Sequence, residues 1–145
     1  MIGSVRSRWL ALTAWIVVIL FNSSVAAAPV PATGVFATLI GKTGHVVEYF
    51  LLGWLAWRAL VESAGGVGLP PRIAASMILV GGVGVAALDE LRQLFVAGRS
   101  PSPWDVLIDG LALAAVSGLQ LLTVRQAPAD LADEARQGVA GEDGH

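Results

Sequence analysis

The chain has 145 residues, of which 55% are hydrophobic and only 14% charged, with a mean hydropathy of +0.71. A soluble domain carries about 25% charged residues, so this composition excludes an ordinary soluble fold and points to a bilayer. The formal net charge of −2, with no basic patch apart from the apolar runs, excludes a nucleic-acid partner. The absence of Cys excludes disulfides and Cys metal sites and leaves the redox compartment open.

Arg6 and Arg8 precede an apolar run from Trp9 to Phe21, followed by Asn22-Ser23-Ser24 and Val25-Ala26-Ala27-Ala28-Pro29. A basic start, a short apolar centre and small residues near Ala26 and Ala28 fit a cleaved secretory signal. They also fit an uncleaved helix from Trp9 to Ala28, which at 1.5 Å per residue covers about 30 Å, the hydrocarbon thickness of a bilayer. The uncleaved helix is the favoured expectation, because the rest of the chain is equally apolar. Pro29, Pro31 and Gly34 break it, and Val35–Ile40 reads as a separate short turn or helix at the interface.

Lys42 to Val61 predicts the second span. Lys42, His45, Glu48 and Tyr49 follow one another at spacings of three and four, which stacks them on one stripe of a helix. A hydrated helix end is the bland reading, since Lys snorkels and Tyr favours the interface. Glu48 lies deeper and argues for a site. The Gly/Pro-rich Glu62–Arg72 is a connection, and its glycines lack the Lys-Ser/Thr pair and strand context of a phosphate loop.

Ile73 to Val96 predicts the third span, with Gly81, Gly82 and Gly84 allowing close helix approach. Asp89, Glu90 and Gln93 project over an arc of about 100° at its end. Charged groups in or beside hydrocarbon are expensive, so their presence marks a candidate site. Ala97 to Pro103 is a turn, with Gly98 as a helix stop, Ser102 as an N-cap and Pro103 at the first helical position. Trp104 to Val124 predicts the fourth span, with Asp105 and Asp109 one turn apart. Gly110 and Ala114 form a small-xxx-small packing pair. The tail 127–145 holds five acids against Arg136 and reads as a polar, disordered segment with at most a short helix near Ala129–Gln137.

These elements predict an all-α polytopic membrane protein: a bundle of four transmembrane helices in residues 1–126, with both termini cytoplasmic. The orientation follows from Arg6, Arg8, Arg58, Arg72 and Arg125 on one side against Lys42 and Arg99 on the other, by the positive-inside rule. It places the start of the second span, the end of the third and the start of the fourth at one depth, on the outer side. Lys42, His45, Glu48, Asp89, Glu90, Gln93, Arg99, Asp105 and Asp109 then share one layer.

At these residues the chain resembles the VanZ-like family of small bacterial membrane proteins. One block resembles D-K-x-x-H-x-x-x-Y-x-x-L-G and is carried by Lys42, His45, Tyr49, Leu52 and Gly53, with Gly41 in place of the Asp. The other resembles D-E-x-x-Q-x-F-x-x-x-R-x-x-S-x-x-D-x-x-x-N-x-x-G. It is carried by Asp89, Glu90, Gln93, Phe95, Arg99, Ser102 and Asp105, with Asp109 where the family has Asn and Ala112 where it has Gly. The resemblance spans residues 9–124. It implies a multi-pass protein of the bacterial inner membrane, linked in some members to resistance to the glycopeptide teicoplanin.

Three functions compete. The first is a non-enzymatic envelope protein that binds a lipid-linked cell-wall precursor, an envelope lipid or a glycopeptide through Lys42, His45, Tyr49, Gln93, Arg99, Asp105 and Asp109; Lys42 and Arg99 suit phosphate or carboxylate. The second is an intramembrane enzyme whose catalytic candidates are His45, Glu48, Asp89 and Glu90, with His45 as base. Asp89, Glu90 and Asp105 are its candidate metal ligands, an oxygen-rich set suited to Mg²⁺ or Mn²⁺. The third is structural, with the charges pairing helices. No cofactor or oligomeric state follows from the sequence; the bilayer is the one partner that composition alone supplies.

Overall fold

The computed structural model describes residues 4–24, 35–61, 68–97 and 101–142. The described chain is all helical: α1 (Val5–Ser24), α2 (Val35–Leu60), α3 (Pro71–Gln93) and α4 (Pro103–Glu142). Among the described residues, three helices are long and apolar enough to cross a membrane: α1, α3 and the Pro103–Arg125 part of α4. α2 is not among them; Lys42, His45, Glu48 and Arg58 interrupt its apolar character.

Several boundaries depart from the sequence expectation. α1 begins at Val5 rather than Trp9, so Arg6 and Arg8 lie within the helix. The residues around Ala26–Ala28, where a signal would be cleaved, lie outside the described residues. Val35–Ile40 is no separate element: it forms the first turns of α2, and Gly41 and Gly44 are carried inside that helix. α3 starts on Pro71, whose fixed φ suits a first helical position. It ends at Gln93, three residues before Val96. The chain then tightens into turns in which the amides of Phe95 and Val96 donate to the carbonyls of Arg92 and Gln93, at 3.0 and 3.1 Å. Leu94 and Phe95 point outward, Phe95 being 89% exposed. Their apolar character therefore serves the outside of the bundle and does not prolong the helix. α4 runs on as helix past Val124 to Glu142.

α2 and α3 lie at the centre. α4 packs against both, α1 packs against both, and α1 and α4 make no contact with each other among the described residues. The inward stripe of α4 is Asp109, Ala112, Leu113, Val116 and Ser117, the three-four spacing of one helix face. The inward stripe of α3 is Ala74, Ile78, Gly82 and Ala86, continuing into Asp89, Glu90 and Gln93. The large apolar side chains Phe21, Val80, Trp104, Leu107 and Leu111 face outward. An apolar exterior around buried carboxylates reverses the pattern of a soluble protein and matches a bilayer environment.

Two glycines set how closely the helices meet. Leu113 is fully buried and lies against Gly53 on α2 and Gly82 on α3. A Cβ on Gly82 would meet Leu113 Cδ1 at 2.5 Å, and one on Gly53 would collide with Val116 Cγ1. Of the three α3 glycines only Gly82 is used in this way; a Cβ on Gly81 or Gly84 would meet nothing within 4 Å. The expected Gly110/Ala114 packing pair is not made. A Cβ on Gly110 would stand at an ordinary 3.5 Å from Val83 Cγ2, and Ala114 is exposed, because these positions lie beside the Asp109–Leu113–Val116 stripe rather than on it.

Candidate polar cluster at one end of the bundle

The antiparallel course of the helices brings the ends of α1 and α3 and the starts of α2 and α4 to the same end of the molecule. Lys42 Nζ lies 2.8 Å from Asp105 Oδ1. One turn deeper, His45 Nδ1 lies 3.2 Å from Asp109 Oδ1 and 3.3 Å from its Oδ2. Two rungs at matched spacing thus join α2 to α4. The imidazole is followed by Tyr49, whose ring is parallel to it, with centroids 6.5 Å apart. Tyr49 is fully buried and its hydroxyl has no hydrogen-bond partner.

α3 contributes its last turn. The Glu90 carboxylate accepts the backbone N–H of Ser102 through Oε2, at 2.6 Å. Ser102 immediately precedes α4, so a carboxylate stands at the positive end of the α4 dipole, a favourable position. Gln93 Nε2 donates to Asp89 Oδ2 at 3.1 Å. The other oxygens of these acids, Asp89 Oδ1 and Glu90 Oε1, are buried without a hydrogen-bond partner. Buried carboxylate oxygens normally find donors, so among the described residues these two stand out as acceptors open to a cation or a donor. One ring nitrogen of His45 and one carboxylate oxygen each of Glu90 and Asp105 lie within 4.8 Å of one another.

Of the residues singled out from sequence, Lys42, His45, Tyr49, Asp89, Glu90, Gln93, Asp105 and Asp109 come together here. Arg99 lies outside the described residues, as does Gly98. Glu48 is separated from the others. Its Oε1 accepts from Asn22 Nδ2 at 3.1 Å, and its backbone carbonyl accepts from Trp15 Nε1 at 3.0 Å. On a helix of 100° per residue, Glu48 stands about 100° from Tyr49, which turns it from α4 toward α1. Arg92 also reaches α1, donating to the Ser24 hydroxyl. The α1 residues Trp15, Asn22 and Ser24 were missed as neighbours of the polar end. The available signal was the polar Asn22-Ser23-Ser24 run, which four alternating helices bring to the same end.

The described cluster holds four carboxylates, three of them buried, against Lys42 and His45. The fold and this cluster define a small helical membrane protein with a polar site at one end. Within that class, the chain belongs to the VanZ/LLP1 family, whose model matches residues 8–123. No curated protein and no solved structure matches it. The matched region contains every residue of the cluster.

Proposed function

We propose that the protein is a multi-pass protein of the bacterial inner membrane that uses the end cluster to bind a polar headgroup. The ligand class is a lipid-linked cell-wall precursor, an envelope lipid or a glycopeptide. Residues 1–126 form the membrane domain, as four spans with both termini cytoplasmic, and 127–145 form an acidic tail into which α4 continues as far as Glu142. The observation that carries this reading is the convergence of Lys42, His45, Glu90, Asp105 and Asp109 from three helices at one end of an otherwise apolar bundle. The Lys42 side chain is 40% exposed, so the cluster has an open side through which a headgroup can approach. In the proposed orientation that side faces outward, where wall precursors and glycopeptides are found. The link of some family members to teicoplanin resistance agrees with it.

The experiment is deletion of the gene, followed by measurement of glycopeptide susceptibility and of lipid-linked precursor pools, with His45→Ala and Asp105→Asn complementation. A change in either readout that these variants fail to restore is the expected result. Unaltered susceptibility and pools refute the binding reading. A reporter fused after Arg99 that proves cytoplasmic refutes the orientation.

An intramembrane enzyme is the second reading, favoured by the His45–Asp109 pair. A carboxylate at Nδ1 fixes the imidazole tautomer and leaves Nε2 as a base. Turnover of a lipid headgroup by purified protein, abolished by His45→Ala, would select this reading over simple binding.

A further inference from the structure

We infer that His45, Glu90 and Asp105 form a binding site for a divalent cation, of the Mn²⁺ or Zn²⁺ type, at the junction of α2, α3 and α4. The inference rests on the same end cluster as the proposed function, but not on which headgroup that cluster recognises.

The first support is position. Candidate donor atoms of the three residues lie within 4.8 Å of one another. Three ligands sharing one ion at bonds of about 2.1 Å lie about 3–3.6 Å apart. Side-chain adjustments of up to about 1 Å on each residue therefore close the site. The three residues come from three helices, so the adjustment is shared among them.

The second support is that each residue is already held by an outer partner and has a donor atom to spare. Asp109 holds His45 through Nδ1, which leaves Nε2 as the lone-pair nitrogen. Lys42 holds Asp105 through Oδ1, which leaves Oδ2. The Ser102 amide holds Glu90 through Oε2, which leaves Oε1. Metal-bound imidazoles and carboxylates are characteristically oriented by such second contacts, a carboxylate on the far nitrogen of the His above all. The cluster thus has spare donors together with outer contacts that hold the three side chains.

The third support is the unpartnered oxygen itself. Glu90 is 8% exposed, and its Oε1 is buried with no hydrogen-bond partner. A hydrogen-bonding role for Glu90 in the helix cap uses only Oε2 and leaves this oxygen unexplained. A cation bound there satisfies it. It also offsets the excess of Asp89, Glu90, Asp105 and Asp109 over Lys42 and His45, in a setting where uncompensated charge is costly. One nitrogen and two carboxylate oxygens, with water completing the shell, favour Mn²⁺ or Zn²⁺ over Ca²⁺ or Mg²⁺. Asp89, proposed as a ligand from sequence, is engaged by Gln93 and lies outside this trio. His45 takes its place.

The test uses the full chain purified in detergent, stripped with chelator and dialysed against Mn²⁺ or Zn²⁺. Bound metal is read by elemental analysis, and the Mn²⁺ form by electron paramagnetic resonance for coupling to a ring nitrogen. The expected result is stoichiometric retention of an ion, with affinity lowered tenfold or more by Glu90→Gln. Asp109→Asn, which disturbs only the orienting contact, should weaken binding by about 10–100-fold. His45→Ala should abolish the nitrogen coupling, and Glu48→Gln, on the α1 side, should leave retention unchanged. Glu90→Gln keeps an acceptor for the Ser102 amide, so it decides the matter even where His45→Ala does not fold. Absence of a retained ion in wild-type protein overturns the inference, as does equal retention in wild type and Glu90→Gln. Neither result bears on headgroup binding, which the deletion phenotype reads separately.

Discussion

His45 Nδ1 stands 3.2 Å from Asp109 Oδ1, and the aspartate it meets is only 1% exposed. Removing the imidazole strips a buried carboxylate of that partner. Breaking a buried charged pair from one side typically costs about 3–5 kcal/mol, whereas replacing both partners costs much less. His45→Ala alone is therefore expected to destabilise the protein more than the His45→Ala/Asp109→Ala pair does. The coupling, read from thermal unfolding in detergent by a double-mutant cycle, should reach about 0.5–3 kcal/mol. Additive effects would mean that the contact contributes nothing.

Glu90 ties the end of α3 to the start of α4 through the Ser102 amide at 2.6 Å. Glu90→Ala removes that acceptor and should cost about 1–3 kcal/mol. Amide hydrogen exchange at Ser102 and at the first turn of α4 should accelerate, while exchange at the centre of α4 should not. Glu90→Gln should restore protection, because its carbonyl can accept the same bond.

Gly82 and Gly81 are neighbours with opposite surroundings. A side chain at 82 runs into Leu113, while one at 81 meets nothing within 4 Å. Gly82→Val should destabilise the bundle by about 1–3 kcal/mol through overpacking. Gly81→Ala should be neutral or stabilising by about 0.5–1 kcal/mol, since glycine is a poor helix former. A Gly82→Ala/Leu113→Ala pair should recover part of the loss of Gly82→Ala alone. Equal responses at 81 and 82 would contradict the packing described.

Trp15 Nε1 donates to the backbone carbonyl of Glu48 at 3.0 Å and fastens α1 to α2. Trp15→Phe retains the aromatic bulk and loses that bond, at about 0.5–1.5 kcal/mol. The effect should be confined to α1: faster exchange or proteolysis near Ser24, with no change at the His45–Asp109 rung. Weakening of both regions together would show that α1 is not an independently docked layer.

The class of fold was legible in the sequence because three of the apolar runs are long enough to stand out on their own. The layer of polar residues was legible because an even number of alternating helices leaves few ways to arrange their ends. What sequence could not resolve is rotation about a helix axis. Lys42, His45, Glu48 and Tyr49 all satisfy the three-four rule, yet Glu48 faces α1 while the others face α4 or the core. The glycines met the same obstacle. Three on α3 were equally plausible contact points, and only Gly82 lies on the stripe that meets Leu113. The end of α3 was misplaced because outward-facing apolar residues in a membrane protein look like a continuing span. Leu94 and Phe95 need only the lipid side, and the backbone had already turned.

The partners of the polar cluster are distributed unevenly along the chain. Asp105 and Asp109 belong to the last helix and Ser102 immediately precedes it, whereas Asp89 and Glu90 lie on the third. Asp89 has its Gln93 contact within the third helix, but the amide that Glu90 accepts lies beyond it. A polypeptide interrupted before Ser102 would lack that amide, the Asp105 carboxylate for Lys42 and the Asp109 carboxylate for His45. The polar end of the first three helices is thus completed only by the last stretch of the membrane domain.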